Sequence, residues 1–183
     1  MSGIAAALLL CAGCHGMSGE GRLEAGYPPI AGQPPAYLER QLEAYADGRR
    51  ESAVMSPLAK RLAAEERAQL AAHFASQKKP GAPVPAGSER GRILATLGDN
   101  ALRVQACQNC HGPGGTAIPP FTPYLAGLHP DYLRRELLAF RSGARRTDPS
   151  GQMSFIAQHL TAEDIAAVAA HYGARLEGDR AGH

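Results

Sequence analysis

Two short cysteine motifs carry the chemistry that this sequence can perform. The pattern CxxCH occurs at residues 11–15 and 107–111, and these two copies hold all four cysteines of the chain. Two cysteines at this spacing lie about one helical turn apart, so both thiols can reach the two vinyl groups of one haem. The pattern is typical of covalent c-type haem attachment, with the histidine as an iron ligand. It therefore predicts two haem c groups. Their thioether bonds would be made by Cys11, Cys14, Cys107 and Cys110.

Paired cysteines have two other common uses, which the histidines argue against. Two CxxC halves can share one zinc ion, and a single CxxC can act as a redox dithiol. Neither use explains why His15 and His111 follow the second cysteine of each motif. Covalent haem explains both the cysteines and the histidines, and we expect His15 and His111 to bind iron.

The sixth position of each iron is the next question, and methionine is the leading candidate. Met55 and Met153 lie 40 and 42 residues after the motif histidines, at matched places in the chain. Met1 is terminal, and Met17 is too close to His15 to reach the other side of the haem. The alternative is that both are core methionines that fill gaps in packing. His/Met ligation raises the reduction potential and closes the iron to substrates, which suits electron transfer.

Two proline-rich loops could orient the iron-binding histidines. A ligating imidazole usually donates its second N–H to a fixed acceptor. Pro28 and Pro123 lie 13 and 12 residues after the motif histidines, and their carbonyl oxygens are candidates for that acceptor. Ile30 and Leu125 would then pack on the haem face. The alternative is that these prolines only shape the loops.

The remaining histidines have weaker claims to a role. His73 and His171 match across the two halves near a helix end. They could be ligands of a bis-His haem, but a surface or helix-capping position is the commoner use. His129, His159 and His183 have no counterpart, and we assign them no role.

Charge is nearly balanced, with 19 Lys and Arg against 17 Asp and Glu, for a formal net charge of +2. This balance argues against a nucleic-acid partner. Arginine pairs at 49–50 and 145–146 follow matched glycines. They could neutralise haem propionates or dock a partner, or they could be solvated charged turns.

The chain repeats itself. A shift of 95 residues places 28–50 on 123–145 with 11 identities in 23 positions, and a proline- and glycine-rich stretch separates the two copies. Such a composition makes a stiff, extended linker. We expect an N-terminal domain over 1–79, a linker over 80–87 and a C-terminal domain over 88–183. Large core residues are scarce, so a buried porphyrin in each small domain would supply the missing apolar mass.

Each half reads as helical, which predicts an all-α fold of two tandem cytochrome c-like domains. An apolar helix over Ile4–Cys14 leads into the first motif; its counterpart is interrupted before a second helix over Ala101–His111. A proline-rich loop and a helix ended by Gly48 or Gly143 follow. A loop then carries the methionine, and a last helix begins at the capping box Thr161–Asp164. We find no convincing alternating strand.

These segments resemble the two-haem cytochrome c4 family of bacterial class I cytochromes, over nearly the whole chain. The resemblance rests on both CxxCHG motifs, on YPPIAGQPPAYLERQLEAYADGRR and its partner, and on VMSPLAKRL and QMSFIAQHL. It implies two helical domains with haem edges facing each other, and a periplasmic location, sometimes at the inner membrane. The axial ligand pairs it implies are His15/Met55 and His111/Met153. It implies redox protein partners: a dehydrogenase or quinol-oxidising complex as donor and a terminal oxidase as acceptor.

Three functions stay in competition. The first is a soluble electron carrier with two haems in series, and the second is a cytochrome subunit of a dehydrogenase or oxidase complex. The third is a di-haem enzyme of the peroxidase or thiosulfate dehydrogenase type, which needs an open, bis-His or Cys-ligated iron. No spare cysteine exists and both halves offer a methionine, which disfavours the enzyme. The apolar run Ile4–Leu10 is too short to span a membrane, and we expect the export signal to lie outside this numbering.

Overall fold

Helices make up almost all of the regular structure in the computed structural model, which describes residues 3–22, 25–81 and 87–173. Within those ranges the only extended pairing is a few isolated bridges. The first half contains α1 Gly3–His15, α2 Pro35–Asp47, α3 Met55–Arg61 and α4 Ala64–Ala75. The second half contains α5 Glu89–Thr96, α6 Gln108–His111, α7 Pro130–Ser142, α8 Gln152–His159 and α9 Ala162–Tyr172. The all-α prediction is confirmed.

The same packing scheme is used in both halves. In the first half, α2 packs against α3 and α4, and α1 packs against α4. In the second, α7 packs against α8 and α9, and α5 lies on α9. In each half, the helix after the proline-rich loop, α2 or α7, therefore contacts both helices that follow it. A buried stripe runs along α9, where Ile165, Val168, Ala169 and Tyr172 are all buried.

Local sequence signals set the ends of several helices. Gly48 and Gly143 terminate α2 and α7 in the left-handed conformation, with φ of 81° and 77°. Ser88 caps α5 by accepting from the Gly91 amide. The capping box of α9 forms as predicted, with Thr161 Oγ1 accepting from the Asp164 amide at 3.0 Å and the Asp164 carboxylate accepting from the Thr161 amide.

Two predicted details are wrong. The segment Ala101–His111 is not one helix: its helical part is Gln108–His111, and the residues before it form a turn closed by the bridge between Asp99 and Val104. The Asp99 carboxylate accepts from the Leu102 amide and stabilises that turn. The methionines do not lie in loops either, because Met55 and Met153 occupy the first turns of α3 and α8.

A loop from the second half ties the two halves together. The Tyr124 hydroxyl donates to the Ala31 carbonyl at 2.9 Å. Gln33 meets the Tyr124 backbone on both sides: its Nε2 donates to the carbonyl at 3.2 Å and its Oε1 accepts from the amide at 3.0 Å. All three residues are buried, so this contact joins the two proline-rich loops directly. Residues 82–86 of the expected linker lie outside the described residues.

Among the described residues, no helix has both the length and the apolar character that crossing a membrane requires.

Candidate haem sites

Each motif histidine lies at the end of a helix and is held by the turn that follows. His15 is the last residue of α1 and His111 the last of α6, and both are buried, at 8% and 7% exposed. The glycine after each histidine has positive φ, which lets the chain turn sharply away. The histidine carbonyls then accept from the amides of Gly21 at 2.7 Å and Ala117 at 2.8 Å.

The imidazole rings are oriented by the proline carbonyls. His15 Nδ1 lies 2.8 Å from the Pro28 oxygen, and His111 Nδ1 lies 2.9 Å from the Pro123 oxygen. A carbonyl can only accept, so Nδ1 carries the proton and Nε2 is left with the lone pair that a metal needs. Burial lowers the pKa of both histidines, despite these hydrogen bonds, and this keeps the rings neutral.

Matched backbone contacts put the proline-rich loops against the turns after the motifs. Ile30 donates its amide to the Gly19 carbonyl at 2.8 Å, and Leu125 donates its amide to the Gly115 carbonyl at 2.9 Å. Gly19 and Gly115 both have positive φ. A Cβ on Gly19 would lie 2.7 Å from the Phe74 ring on α4, and a Cβ on Gly115 would lie 2.7 Å from the Tyr172 ring on α9. Only glycine fits there, and the close approach brings each loop over its histidine.

One continuous cavity of about 800 Å³ contains the predicted ligands of both halves. This volume lies in the range of binding sites for organic cofactors. The cavity is lined by His15, Met55, His111 and Met153. It is also lined by Cys11, Cys14, Cys107 and Cys110, and by Pro28, Ile30, Pro123 and Leu125. The structure thus brings together every residue that the sequence singled out for haem binding.

The donor set fits covalent haem better than zinc or a redox dithiol. Among the described residues, which include all four cysteines, no cluster of three or more His, Cys, Asp or Glu side chains could hold a metal ion. Burial raises the pKa of Cys11, and it raises the pKa of Cys107 to about 11. Zinc ligands and reactive dithiols need a lowered thiol pKa, whereas thioether formation consumes the thiol.

Two arginines, one after α2 and one after α7, line the cavity where the two halves meet. We call the part of the cavity around His15 and the part around His111 the two haem crevices. Arg50 and Arg145 are 5% and 6% exposed and line the cavity. Their backbones form an isolated antiparallel bridge. Their sequence neighbours behave differently: Arg49 pairs with Asp47 at the surface, and Arg146 is exposed. The arginine pairs seen in the sequence therefore divide into one buried and one outer member each.

Two residues that line the cavity were missed by sequence reasoning. Gln41 and Glu136 occupy matched positions on α2 and α7, and both line the cavity beside the buried arginines. The 95-residue shift matches these two positions in the sequence. Because one is glutamine and the other glutamate, the match is not an identity and gave no signal for a shared role. His73 and His171 do not line the cavity.

Comparison with protein families identifies the class. A family model described as cytochrome c matches residues 4–78 and again 95–171. Each half of the chain is thus a cytochrome c domain, and the protein is a tandem c-type cytochrome. Two CxxCH motifs in two such domains imply two covalently bound haem c groups.

Individual relatives narrow the class further. Cytochrome c4 of Thiocapsa roseopersicina is 38% identical over 87% of this chain and 83% of its own. The solved structure of reduced cytochrome c4 from Pseudomonas stutzeri superposes with a TM-score of 0.83, at 28% identity, over 96% of this chain and 100% of its own. The chain therefore belongs to the cytochrome c4 family, as the sequence motifs predicted. It is a di-haem electron carrier of that type.

Other relatives have names that refer to thiosulfate dehydrogenase. The thiosulfate dehydrogenase electron acceptor of Thiomonas intermedia is 39% identical over 87% of this chain and 75% of its own. The solved thiosulfate dehydrogenase TsdBA of Marichromatium purpuratum is 37% identical with a TM-score of 0.81, over 92% of this chain. This chain spans only 36% of that longer protein.

Proposed function

We propose that this cytochrome accepts electrons from a dehydrogenase and passes them on through two haem sites in series, both closed by His/Met ligation. The observation that carries the proposal is the single cavity that both histidines and both methionines line. Two haem c groups, when bound, supply the one-electron chemistry. The chain's own residues attach them, ligate them and exclude water.

Each half would use the same residues in the same roles. Cys11 and Cys14, or Cys107 and Cys110, form the thioether bonds. His15 with Met55, and His111 with Met153, would bind the two irons. A neutral thioether favours ferrous iron and raises the reduction potential, and a six-coordinate iron has no position for substrate. This is why the sites pass electrons and do not catalyse bond chemistry.

Other cavity residues would support the ligands. The Pro28 and Pro123 carbonyls hold the histidine rings in one orientation, which also increases the basicity of the ligating nitrogen. Ile30 and Leu125, both half-buried against the cores of their halves, would pack on the porphyrin. Buried Arg50 and Arg145 would neutralise propionate groups, since a guanidinium matches a carboxylate in charge and geometry.

The comparisons bear most directly on the identity of the electron donor. Two relatives are named thiosulfate dehydrogenase electron acceptors. The TsdBA protein contains a region similar to this chain within a longer thiosulfate dehydrogenase. We infer that a thiosulfate dehydrogenase is the donor and that a terminal oxidase or another oxidant is the acceptor. The protein would be periplasmic. Its two domains would span residues 1–79 and 88–183 and would be joined by the linker 80–87.

Two measurements test the proposal. A redox titration of the purified holoprotein, followed optically, should show two haems and a far-red band of Fe–S(Met) bonding in the oxidised form. Thiosulfate with a catalytic amount of purified thiosulfate dehydrogenase should then reduce both haems, and omission of the dehydrogenase is the control. A five-coordinate iron at rest would refute the carrier mechanism. Reduction no faster than in the control would refute the choice of donor.

A further inference from the structure

Four largely buried side chains near the haem crevices form two matched pairs, one residue of each pair from each half. One pair is identical and the other is not. A shift of 95 residues relates Arg50 to Arg145, and the same shift relates Gln41 to Glu136. The arginines are identical, but one acceptor is a neutral amide and the other a carboxylate. The arrangement is therefore nearly symmetric in shape and asymmetric in charge.

Both arginines use the same carboxylate oxygen. Glu136 Oε2 lies 2.8 Å from Arg50 Nη2 and 2.9 Å from Arg145 Nη1. The Gln41 oxygen is shared in the same way, at 3.0 Å from Arg50 Nη1 and 3.0 Å from Arg145 Nη2. One acceptor from each half thus bridges the arginines of both halves, so either position could hold a carboxylate without a change in contacts.

The charges of this group do not cancel. Among the side chains of this group, two guanidinium groups and one carboxylate leave a net charge of +1 before any haem propionate is counted, and the other acceptors of the two arginines are neutral hydroxyls. The Tyr132 hydroxyl accepts from Arg50 at 3.0 Å, the Tyr37 hydroxyl accepts from Arg145 at 3.3 Å, and the Thr147 hydroxyl accepts from Arg145 Nε at 3.0 Å. Glu136 is the one negative charge in the group.

The carboxylate is ionised in this setting. Burial acts to raise the pKa of Glu136, but Arg50 and Arg145 outweigh it and lower the pKa below its ordinary value. Charges that are buried are also screened less by water and salt than charges at the surface. The charge of Glu136 therefore acts over the width of the cavity, which extends into both crevices.

We propose that Glu136 sets the reduction potentials of the two haem sites as a single shared carboxylate. Oxidation adds one positive charge at an iron, and a nearby fixed negative charge stabilises that oxidised state. Because Glu136 bonds to arginines of both halves, it acts on both sites, and it lowers their mean potential. Gln41 keeps the bridging contact without adding a second negative charge. This inference rests on the proposed function, since it needs haems in both crevices.

The test uses the holoprotein and a pair of swaps. Glu136→Gln removes the charge and keeps the shape, and Gln41→Glu combined with Glu136→Gln moves the charge to the first half. In Glu136→Gln the mean potential should rise enough to increase the reduced-to-oxidised ratio at fixed potential about tenfold, which is about 59 mV for one electron. The double variant should return the mean close to wild type and lower the potential of the first-half site relative to the second.

Matched controls separate an electrostatic role from a structural one. Glu43→Gln removes an exposed carboxylate on the same helix as Gln41 and should shift the mean potential far less. Glu136→Asp keeps the charge and should stay close to wild type. An unchanged potential in Glu136→Gln, or a double variant that shifts as far as Glu136→Gln alone, would overturn the proposal. Haem content and the Fe–S(Met) band, measured on each variant, report separately on the proposed function.

Discussion

The two halves share the geometry around their motif histidines but differ in how much core supports it. Among the described residues, the second half buries eleven hydrophobic residues in one cluster, and the corresponding cluster of the first half contains four. The histidine-to-carbonyl distances are nevertheless 2.8 and 2.9 Å. Duplication has therefore kept the contacts that orient ligands while the packing around them has diverged.

One reason for the difference is visible on the last helices. Over the last two helices of each half the repeat is offset by 98 residues, as for Met55 and Met153. Ile165 of α9 is fully buried, and the position that this offset matches to it on α4 is Arg67. Leu94 of α5 is also fully buried in the second cluster. In the first half, helix α1 supplies Ile4, Ala7 and Leu8, which are only partly buried. The first half should therefore depend more on its cofactor for stability.

The largest effect should come from the axial methionines. Met55→Ala and Met153→Ala should each lower one of the two potentials by a sizeable part of the span of about 0.8 V over which axial ligands tune haems. Each should also remove about half of the far-red Fe–S(Met) band, because a single iron loses its thioether. Optical redox titration measures both. Met17→Ala is the control, since Met17 is 72% exposed. A full band in either variant would show that this methionine is not a ligand.

Next in size is the core of the second half. Ile165→Ala should lower the free energy of unfolding by roughly 2–5 kcal/mol, because it leaves a cavity in a packed cluster. Arg67→Ala at the matched position of the first half should cost roughly 1 kcal/mol or less. Urea unfolding of the holoprotein gives both values. Equal losses at the two positions would contradict the difference between the cores.

The contact between the loops should have an intermediate effect. Tyr124→Phe removes the hydroxyl that donates to the buried Ala31 carbonyl. An acceptor left without a donor in the interior costs about 1–3 kcal/mol. If the two halves unfold together through this contact, the loss should appear in a single urea transition. A separate, earlier transition of the first half in wild type would show that Tyr124 does not couple them.

The smallest expected effect is at the start of the last helices. Thr161→Ala should destabilise α9 by about 1 kcal/mol, the usual cost of a lost N-cap. The matched Ala63 has no side-chain acceptor, although Glu66 still bonds back to its amide at 2.9 Å. Ala63→Thr should therefore stabilise the first half by a similar amount. Both changes can be measured as shifts of the urea midpoint, and a neutral Ala63→Thr would mean that the cap cannot form there.

Sequence reasoning succeeded where the signal is local or repeated. The glycine ends of α2 and α7 and the capping box of α9 depend on a few neighbouring residues, and all three are present. It failed for Ala101–His111, where the Asp99–Val104 bridge and the Asp99 side chain hold a turn in place of a helix. Helix propensity is a weak prior, and such tertiary contacts override it.

The amino-acid sequence by itself determined that this protein carries two covalent haem groups, because each CxxCH motif is short and local. The assignment of Met55 and Met153 as iron ligands stays a prediction from their matched positions. Only the tertiary structure decided that both ligand sets open into one cavity, and that a single carboxylate, Glu136, is shared by arginines from both halves. The physical reason is that buried charges act through distance and burial, and residues about 90 positions apart meet only when the chain folds.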